Sequence, residues 1–229
     1  MLPPPRRGAL HTSYITLPAG SQICARTEHG LKLEFIKLCS ASGSVMEDLF
    51  EGHNVGTARP LKLSEDVVST ATYGGPDKCY RYRLKRVWNP TRPLVMWLMM
   101  NPSVATEYGD DRTVAKCQRY ARAWGYGGIL VGNTFAYRCT DQLRLLETPD
   151  PVGPENDKAL LEMAQEANKV IAAYGTPHHK ALLARGPEVV HMLQKHGITV
   201  DALRLSKTGR PCHPLYLPAS LLPEPLPKS

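Results

Sequence analysis

The run Pro93-Leu94-Val95-Met96-Trp97-Leu98-Met99-Met100, followed by Asn101-Pro102-Ser103, decides the fold. Its core is apolar without polar alternation, the pattern of a strand buried on both faces. Pro102 fixes the turn that follows. A second strand, Val200-Asp201-Ala202-Leu203-Arg204-Leu205, leads into Thr208-Gly209-Arg210-Pro211-Cys212-His213-Pro214-Leu215-Tyr216-Leu217. Each strand thus ends in a proline-containing turn with one polar side chain, Asn101 in the first and His213 in the second. In an open parallel sheet, ligands bind at the carboxyl ends of the strands. The two loops are therefore expected to frame one cleft.

Between these runs the chain alternates. Asp110 or Asp111 caps a helix that runs to about Trp124, with Val114, Cys117, Ala121 and Trp124 on one face. Gly125-Tyr126-Gly127-Gly128 stops it. Ile129-Leu130-Val131-Gly132-Asn133 reads as a second buried strand. A helix from Pro154 through Asn168, a strand from Lys169 to Tyr174 and a helix from Pro187 through His196 lead to the strand at 200–205. The expected fold is α/β: a three-layer α/β/α arrangement around a central four-stranded parallel sheet. Tyr80 to Trp88 alternates and reads as an edge strand with a basic face, closed by Asn89-Pro90.

Residues 1–66 have a different texture. Pro3-Pro4-Pro5 opens an extended start, and Tyr14–Leu17 and Leu31–Ile36 read as short strands among turn formers. This stretch is expected to be an N-terminal extension or small subdomain, with residues 67–229 forming the main domain.

Composition narrows the function classes. Lys and Arg number 28 against 21 Asp and Glu, a net charge of +7, which suits a polyanionic partner. No apolar run reaches the roughly 18 residues of a membrane span. Arg6 and Arg7 are followed by no apolar stretch, so the cytoplasm is the expected location. Cys24, Cys39, Cys79, Cys117, Cys139 and Cys212 form no C-x-x-C pair, so a zinc ribbon or thioredoxin-like site is not expected. They read as small buried side chains, and an iron–sulfur cluster has no spacing to support it.

The candidate site residues each carry two readings. Asn101 either orients a water or bonds its own backbone at a strand end. Asn133 either pairs with a nucleobase edge or caps the next loop. Phe135 and Tyr137 either stack on a ring or belong to the core. His213, held between two prolines, is either a positioned donor or an exposed loop residue. Asp110 and Asp111 either stabilise a helix N-terminus or supply a general base. Arg81, Arg83, Lys85, Arg86 and Arg119, interleaved with Tyr80, Tyr82 and Trp88, either track phosphates or cover solvated faces, as do Lys207 and Arg210 beside the His213 loop.

Taken in order, an Asn-Pro turn after strand one, an Asn after strand two and a His-Pro loop after strand four resemble the uracil-DNA glycosylase superfamily. Met99-Met100-Asn101-Pro102-Ser103 is similar to the G-I-N-P-G motif of its mismatch-specific branch, and His213-Pro214-Leu215-Tyr216-Leu217 to its closing H-P-S-P-L loop, with Leu215-Tyr216 in place of Ser-Pro. The chain from about 67 to 220 also resembles a bacterial family of domains of unknown function. That likeness rests on Met99–Ser103, Trp124–Gly128, Asn133–Arg138, Asp150–Asp157 and His213–Pro218.

The glycosylase resemblance implies a monofunctional DNA glycosylase that needs no cofactor or metal. It implies that Asn101 positions the water, with Asp110 or Asp111 as base, and that His213 stabilises the leaving base. Asn133 would read the flipped base, with Phe135, Tyr137, Tyr108 and Ser103 around it. Leu215, Tyr216 or Leu217 would fill the vacated stack. The partner is then DNA, the protein a monomer with no membrane role, and the base deaminated, damaged or bulky. Bulky bases include the modified bases of phage DNA, which would make this an antiviral enzyme. Two other classes stay open: a nucleotide or nucleoside hydrolase on the same scaffold, and a non-catalytic nucleic-acid-binding module. A dinucleotide-binding domain is disfavoured, because no G-x-G-x-x-G follows the first strand.

Overall fold

The computed structural model describes residues 59–227; the strands expected at 14–17 and 31–36 lie outside them. In chain order the elements are β1 (Leu61–Lys62), β2 (Val68–Gly74), β3 (Tyr80–Val87), β4 (Leu94–Met99), β5 (Gly109–Asp110), α1 (Arg112–Ala123), β6 (Gly128–Asn133), α2 (Arg144–Glu147), α3 (Asn156–Glu166), β7 (Lys169–Ala172), α4 (Arg185–Lys195), β8 (Val200–Ala202) and β9 (Glu224–Pro225). The fold is mixed α/β. A seven-stranded sheet has the order β2-β3-β6-β4-β7-β8-β9.

Its centre is the expected parallel set. β4 pairs with β6 on one side and β7 on the other, and β7 pairs with β8, all parallel. The unbroken apolar runs follow from this position, because alternate residues feed two separate cores. Val95, Trp97 and Met99 of β4, with Ile129 and Val131 of β6, pack against Val114, Cys117, Tyr120 and Ala121 of α1. Met96, Leu98 and Leu130 pack against Leu160 and Met163 of α3 and Val189 and Leu193 of α4. Gly132 lets α3 approach β6 closely: a Cβ there would lie 2.5 Å from the Leu160 side chain. Asp111 caps α1, its carboxylate accepting from the Val114 N–H at 2.7 Å.

The sheet is larger and less uniform than the sequence pattern implies. β2, β3 and β9 join it antiparallel, on its two flanks. β3 is therefore an interior strand between β2 and β6, not an edge strand. Its basic face is also divided. Arg83 and Lys85 both pair with Glu166 of α3. Arg86 is fully buried on the opposite face, where it meets Asp110 at 2.9 Å.

The β2–β3 ladder carries a bulge. Thr72 opposes Arg83 and the next residue, Tyr73, opposes Arg81, so Tyr82 has no partner on β2. Strict alternation would send Arg81 to the same face as Arg83. The extra residue returns it to the face of Leu84 and Arg86. Leu61–Lys62 pair with Gly109–Asp110, and Asp66 meets Arg122 at 2.9 Å, so residues ahead of 67 also pack on this domain.

Candidate functional site

The carboxyl ends of β4, β6, β7 and β8 open on one side of the sheet. The chain leaving β4 runs to α1 on one face, whereas the chains leaving β6 and β7 run to α3 and α4 on the other. Loops that diverge in this way leave a crevice above the central strand. A cleft of about 400 Å3 occupies that place. Asn101 and Ser103 after β4, Asn133 at the end of β6, Tyr174 and Gly175 after β7, and His213 and Tyr216 after β8 line it. Asp111 and Thr113 at the start of α1 and Arg81 near the start of β3 complete the wall. β3 is antiparallel to β6, so its first residues lie beside the last residues of β6.

The two loops that carry the asparagines are tied together. Thr134 and Phe135 donate their N–H groups to the Met99 and Met100 carbonyls at 2.8 Å each, and Cys139 donates to the Pro102 carbonyl at 3.0 Å. Asn101 Nδ2 donates to the Cys139 carbonyl at 2.6 Å, which sets the amide and leaves Oδ1 as its unpartnered acceptor among the described residues. The Asn133 carbonyl accepts from Asn156 Nδ2 at 2.9 Å, and the Thr134 carbonyl accepts from Arg185 Nε at 3.0 Å. Asn156 and Arg185 thus brace the end of β6 from α3 and α4.

His213 belongs to a short turn, Pro214–Tyr216, whose Leu215 N–H donates to its Nδ1 at 3.4 Å. An Nδ1 that accepts places the ring proton of the neutral imidazole on Nε2. Burial lowers the His213 pKa below its ordinary value, with Asp111 opposing the shift, so the ring is neutral at pH 7. Gly175, at φ +69°, keeps the wall next to this ring thin: an added Cβ would meet His213 Cβ at 3.4 Å. The loop is held down on α1 by Tyr120, whose hydroxyl donates to the Pro218 carbonyl at 2.6 Å.

Not every candidate converges on the cleft. Asp110 lies outside its lining, buried against Arg86 and Gln118. Phe135 packs in a small core with Cys139, Leu145 and Leu182. Tyr137 meets the Tyr80 ring edge-on, away from the cleft, and Tyr108 is exposed outside the lining. Leu217 is buried against α1 and Leu215 is half-buried, which leaves Tyr216, 85 % exposed, as the aromatic at the mouth.

The basic set divides in the same way. Arg119 and Lys207 are exposed, and Arg210 is half-buried and donates to the Leu183 carbonyl. Arg83 is committed to Glu166, and Arg81 and Arg86 are buried. Several lining residues come from loops that sequence patterns leave without chemistry: Thr176 and His178 after β7, and Thr140 and Gln142 after β6. Their one available signal was position, at the carboxyl ends of parallel strands. Among the described residues, no group of three or more His, Cys, Asp or Glu side chains is placed to hold a metal. No helix among them is long and apolar enough to cross a membrane.

The family model described as "Protein of unknown function (DUF1643)" matches residues 81–215, more than half of the chain. The chain belongs to this family. The family segment contains Arg81, Asn101, Asp111, Asn133 and His213 of the cleft lining and stops one residue short of Tyr216. It ends in the turn that carries His213. No curated protein and no solved structure matches the chain.

Proposed function

We propose that this protein is a monofunctional DNA glycosylase that hydrolyses the N-glycosidic bond of a flipped, modified or damaged base and leaves an abasic site. The observation that carries the reading is the convergence of Asn101, Asp111, Asn133 and His213 on one cleft at the ends of parallel strands. The sheet, with α1 on one face and α3 and α4 on the other, is read as the three-layer architecture of the uracil-DNA glycosylase superfamily.

The cleft divides by hydrogen-bond polarity. Asn101 Oδ1 and the Asp111 carboxylate are acceptors suited to holding a water by its O–H groups. Asn133 Nδ2 and His213 Nε2 are donors suited to the base. As the bond between C1′ and the base breaks, its electron pair leaves with the base. The water oxygen bonds to C1′ and gives its proton to Asp111, which releases it to solvent. The departing base is stabilised as an anion by the two N–H donors and then takes up a proton from solvent. Among the described residues that line the cleft there is no lysine for a Schiff base, in keeping with a hydrolytic rather than a lyase reaction.

A base within a duplex must leave the stack to reach such a cleft. Exposed Tyr216 at the mouth is placed to fill the gap, and Arg119 and Lys207 supply exposed positive charge. The substrate class extends to the modified bases of phage DNA, with an antiviral role. The protein is expected to act as a monomer in the cytoplasm.

An abasic-site assay tests the proposal. Duplex and single-stranded DNAs carrying uracil, mismatched, oxidised, hydroxymethylated and glucosylated bases are incubated with the protein and then cleaved with alkali. Cleavage that is lost in Asn101→Ala supports the reading. Salt-dependent DNA binding without cleavage would replace it with a binding module. Hydrolysis of free nucleotides without competition from DNA would replace it with a nucleotide hydrolase.

A further inference from the structure

Arg81 is a cation with very little solvent contact, 2 % exposed at the edge of the cleft. Its Nη1 donates to the Ala105 carbonyl at 2.8 Å and its Nη2 donates to Asn133 Oδ1 at 3.0 Å. Its Nε is buried without a partner, and no carboxylate among the described residues lies within ion-pairing distance. This contrasts with Arg86, five residues further along β3, which has Asp110 and four further acceptors. Burial lowers the Arg81 pKa to about 10, opposed chiefly by the field of Asp111, so the side chain is still a cation at neutral pH. A buried charge without a counter-ion is costly, and such groups concentrate at functional sites.

The chemistry of the contact sets the orientation of Asn133. A guanidinium has no acceptor, so the atom facing it is the amide oxygen and the other amide atom is Nδ2. Nδ2 has no partner among the described residues, and Asn133 lines the cleft. The Asn156 side chain holds the Asn133 carbonyl, so the backbone is braced as well. A charge-assisted bond to Oδ1 draws electron density from the amide and makes the Nδ2–H a stronger donor.

We infer that Arg81, acting through Asn133, is a positioning residue that orients and polarises the amide donor facing the departing base. This rests on the glycosylase reading. A base that leaves as an anion gains most from a donor backed by a buried cation, because the surroundings screen the charge weakly. The sequence pattern left Arg81 between phosphate contact and a solvated face; the bulge at Tyr82 is what brings it to the cleft instead.

The test measures single-turnover excision of whichever base the panel above releases, beside its ring-fluorinated analogue, a better leaving group. Wild type, Arg81→Gln, Arg81→Lys, Asn133→Ala and the Arg81→Gln/Asn133→Ala double variant are compared, with thermal unfolding of each. Arg81→Gln is expected to slow release of the parent base by about tenfold more than release of the fluorinated one. Arg81→Lys, which keeps the charge, is expected to recover part of that difference. In the Asn133→Ala background, Arg81→Gln should change the rate by no more than about twofold. Equal losses on the two bases, or an undiminished effect without Asn133, would overturn the inference and leave the glycosylase reading intact. Excision of no base in the panel would overturn both. Should Arg81→Gln fail to fold, Arg81→Lys takes its place: full loss on both bases alike would then count against the inference.

Discussion

Asn101 and Cys139 lie 38 residues apart in sequence, yet Asn101 Nδ2 donates to the Cys139 carbonyl at 2.6 Å. The bond joins the loop after β4 to the loop after β6 and turns the Asn101 oxygen into an available acceptor. Asn101→Ala is therefore expected to lower excision by about a hundredfold or more. Its effect on stability should be modest, about 1 kcal/mol for one lost side-chain hydrogen bond. Excision rates and urea unfolding measured on the same variant check this; a fall in stability that accounts for the lost activity would sink the catalytic role.

Adjacent aspartates should behave in opposite ways. Asp110 is 4 % exposed and paired with the buried Arg86, so Asp110→Asn strands a buried cation. The expected cost is about 3–5 kcal/mol of stability. Asp111 lines the cleft and caps α1. Asn caps a helix as well as Asp does, so Asp111→Asn should change stability by only a few tenths of a kcal/mol, with excision reduced about a hundredfold. Equal activity losses in both variants would show that Asp111 is no special base.

His213 sets a pH dependence with a definite sign. Its folded-state pKa is lowered by burial from the ordinary 6.5. Above that ordinary value the ring is neutral in both states and its contribution to stability is complete. As pH falls, the unfolded chain takes up the proton first, and the contribution is lost through the lowered folded pKa. Protonation also places a hydrogen on Nδ1, which then no longer accepts from the Leu215 N–H. Relative to His213→Gln, the wild type should lose stability as the pH falls from about 7 through the ordinary 6.5 and below it. A difference in unfolding free energy that stays constant over that range would contradict the assignment.

Tyr216 and Leu217 are neighbours with separate duties. Tyr216 is 85 % exposed at the mouth of the cleft, whereas Leu217 is 7 % exposed and packed in the core against α1. Leu217→Ala is expected to cost about 2–5 kcal/mol of stability. Tyr216→Ala should leave stability within about 0.5 kcal/mol of wild type and weaken excision from duplex DNA more than from single strands, since only the duplex leaves a gap to fill. Equal effects on both substrates would remove Tyr216 as the wedge.

Local pattern was enough to place the central strands. β4 and β6 are buried on both faces, so their residues are apolar throughout, and no partner needs to be known to read them. A cap within the Asp110-Asp111 pair, though not which of the two, and the stop at Gly125 were legible for the same reason: each satisfies helix-end groups from within a few residues. The added antiparallel strands were not legible. Val68–Gly74 is half-exposed and rich in small polar residues, and Glu224–Pro225 is only two residues long. Strands of that kind are defined by the partner that accepts their hydrogen bonds, which sequence does not name.

The same boundary runs through the site. The sequence alone determined which polar side chains follow three of the four parallel strands: Asn101 and Asn133 stand where the apolar runs of β4 and β6 stop, and His213 lies in the loop after β8. Tertiary structure alone decided which charged residues join them. Asp110 and Asp111 are indistinguishable as a sequence pair, but the helix start turns one to the cleft and the other to Arg86. Arg81 and Arg83 share a period of two, yet the unpaired Tyr82 sends them to opposite faces. A bulge is a property of the register between two strands, and register is set by contacts distant in sequence, so no local pattern carries it.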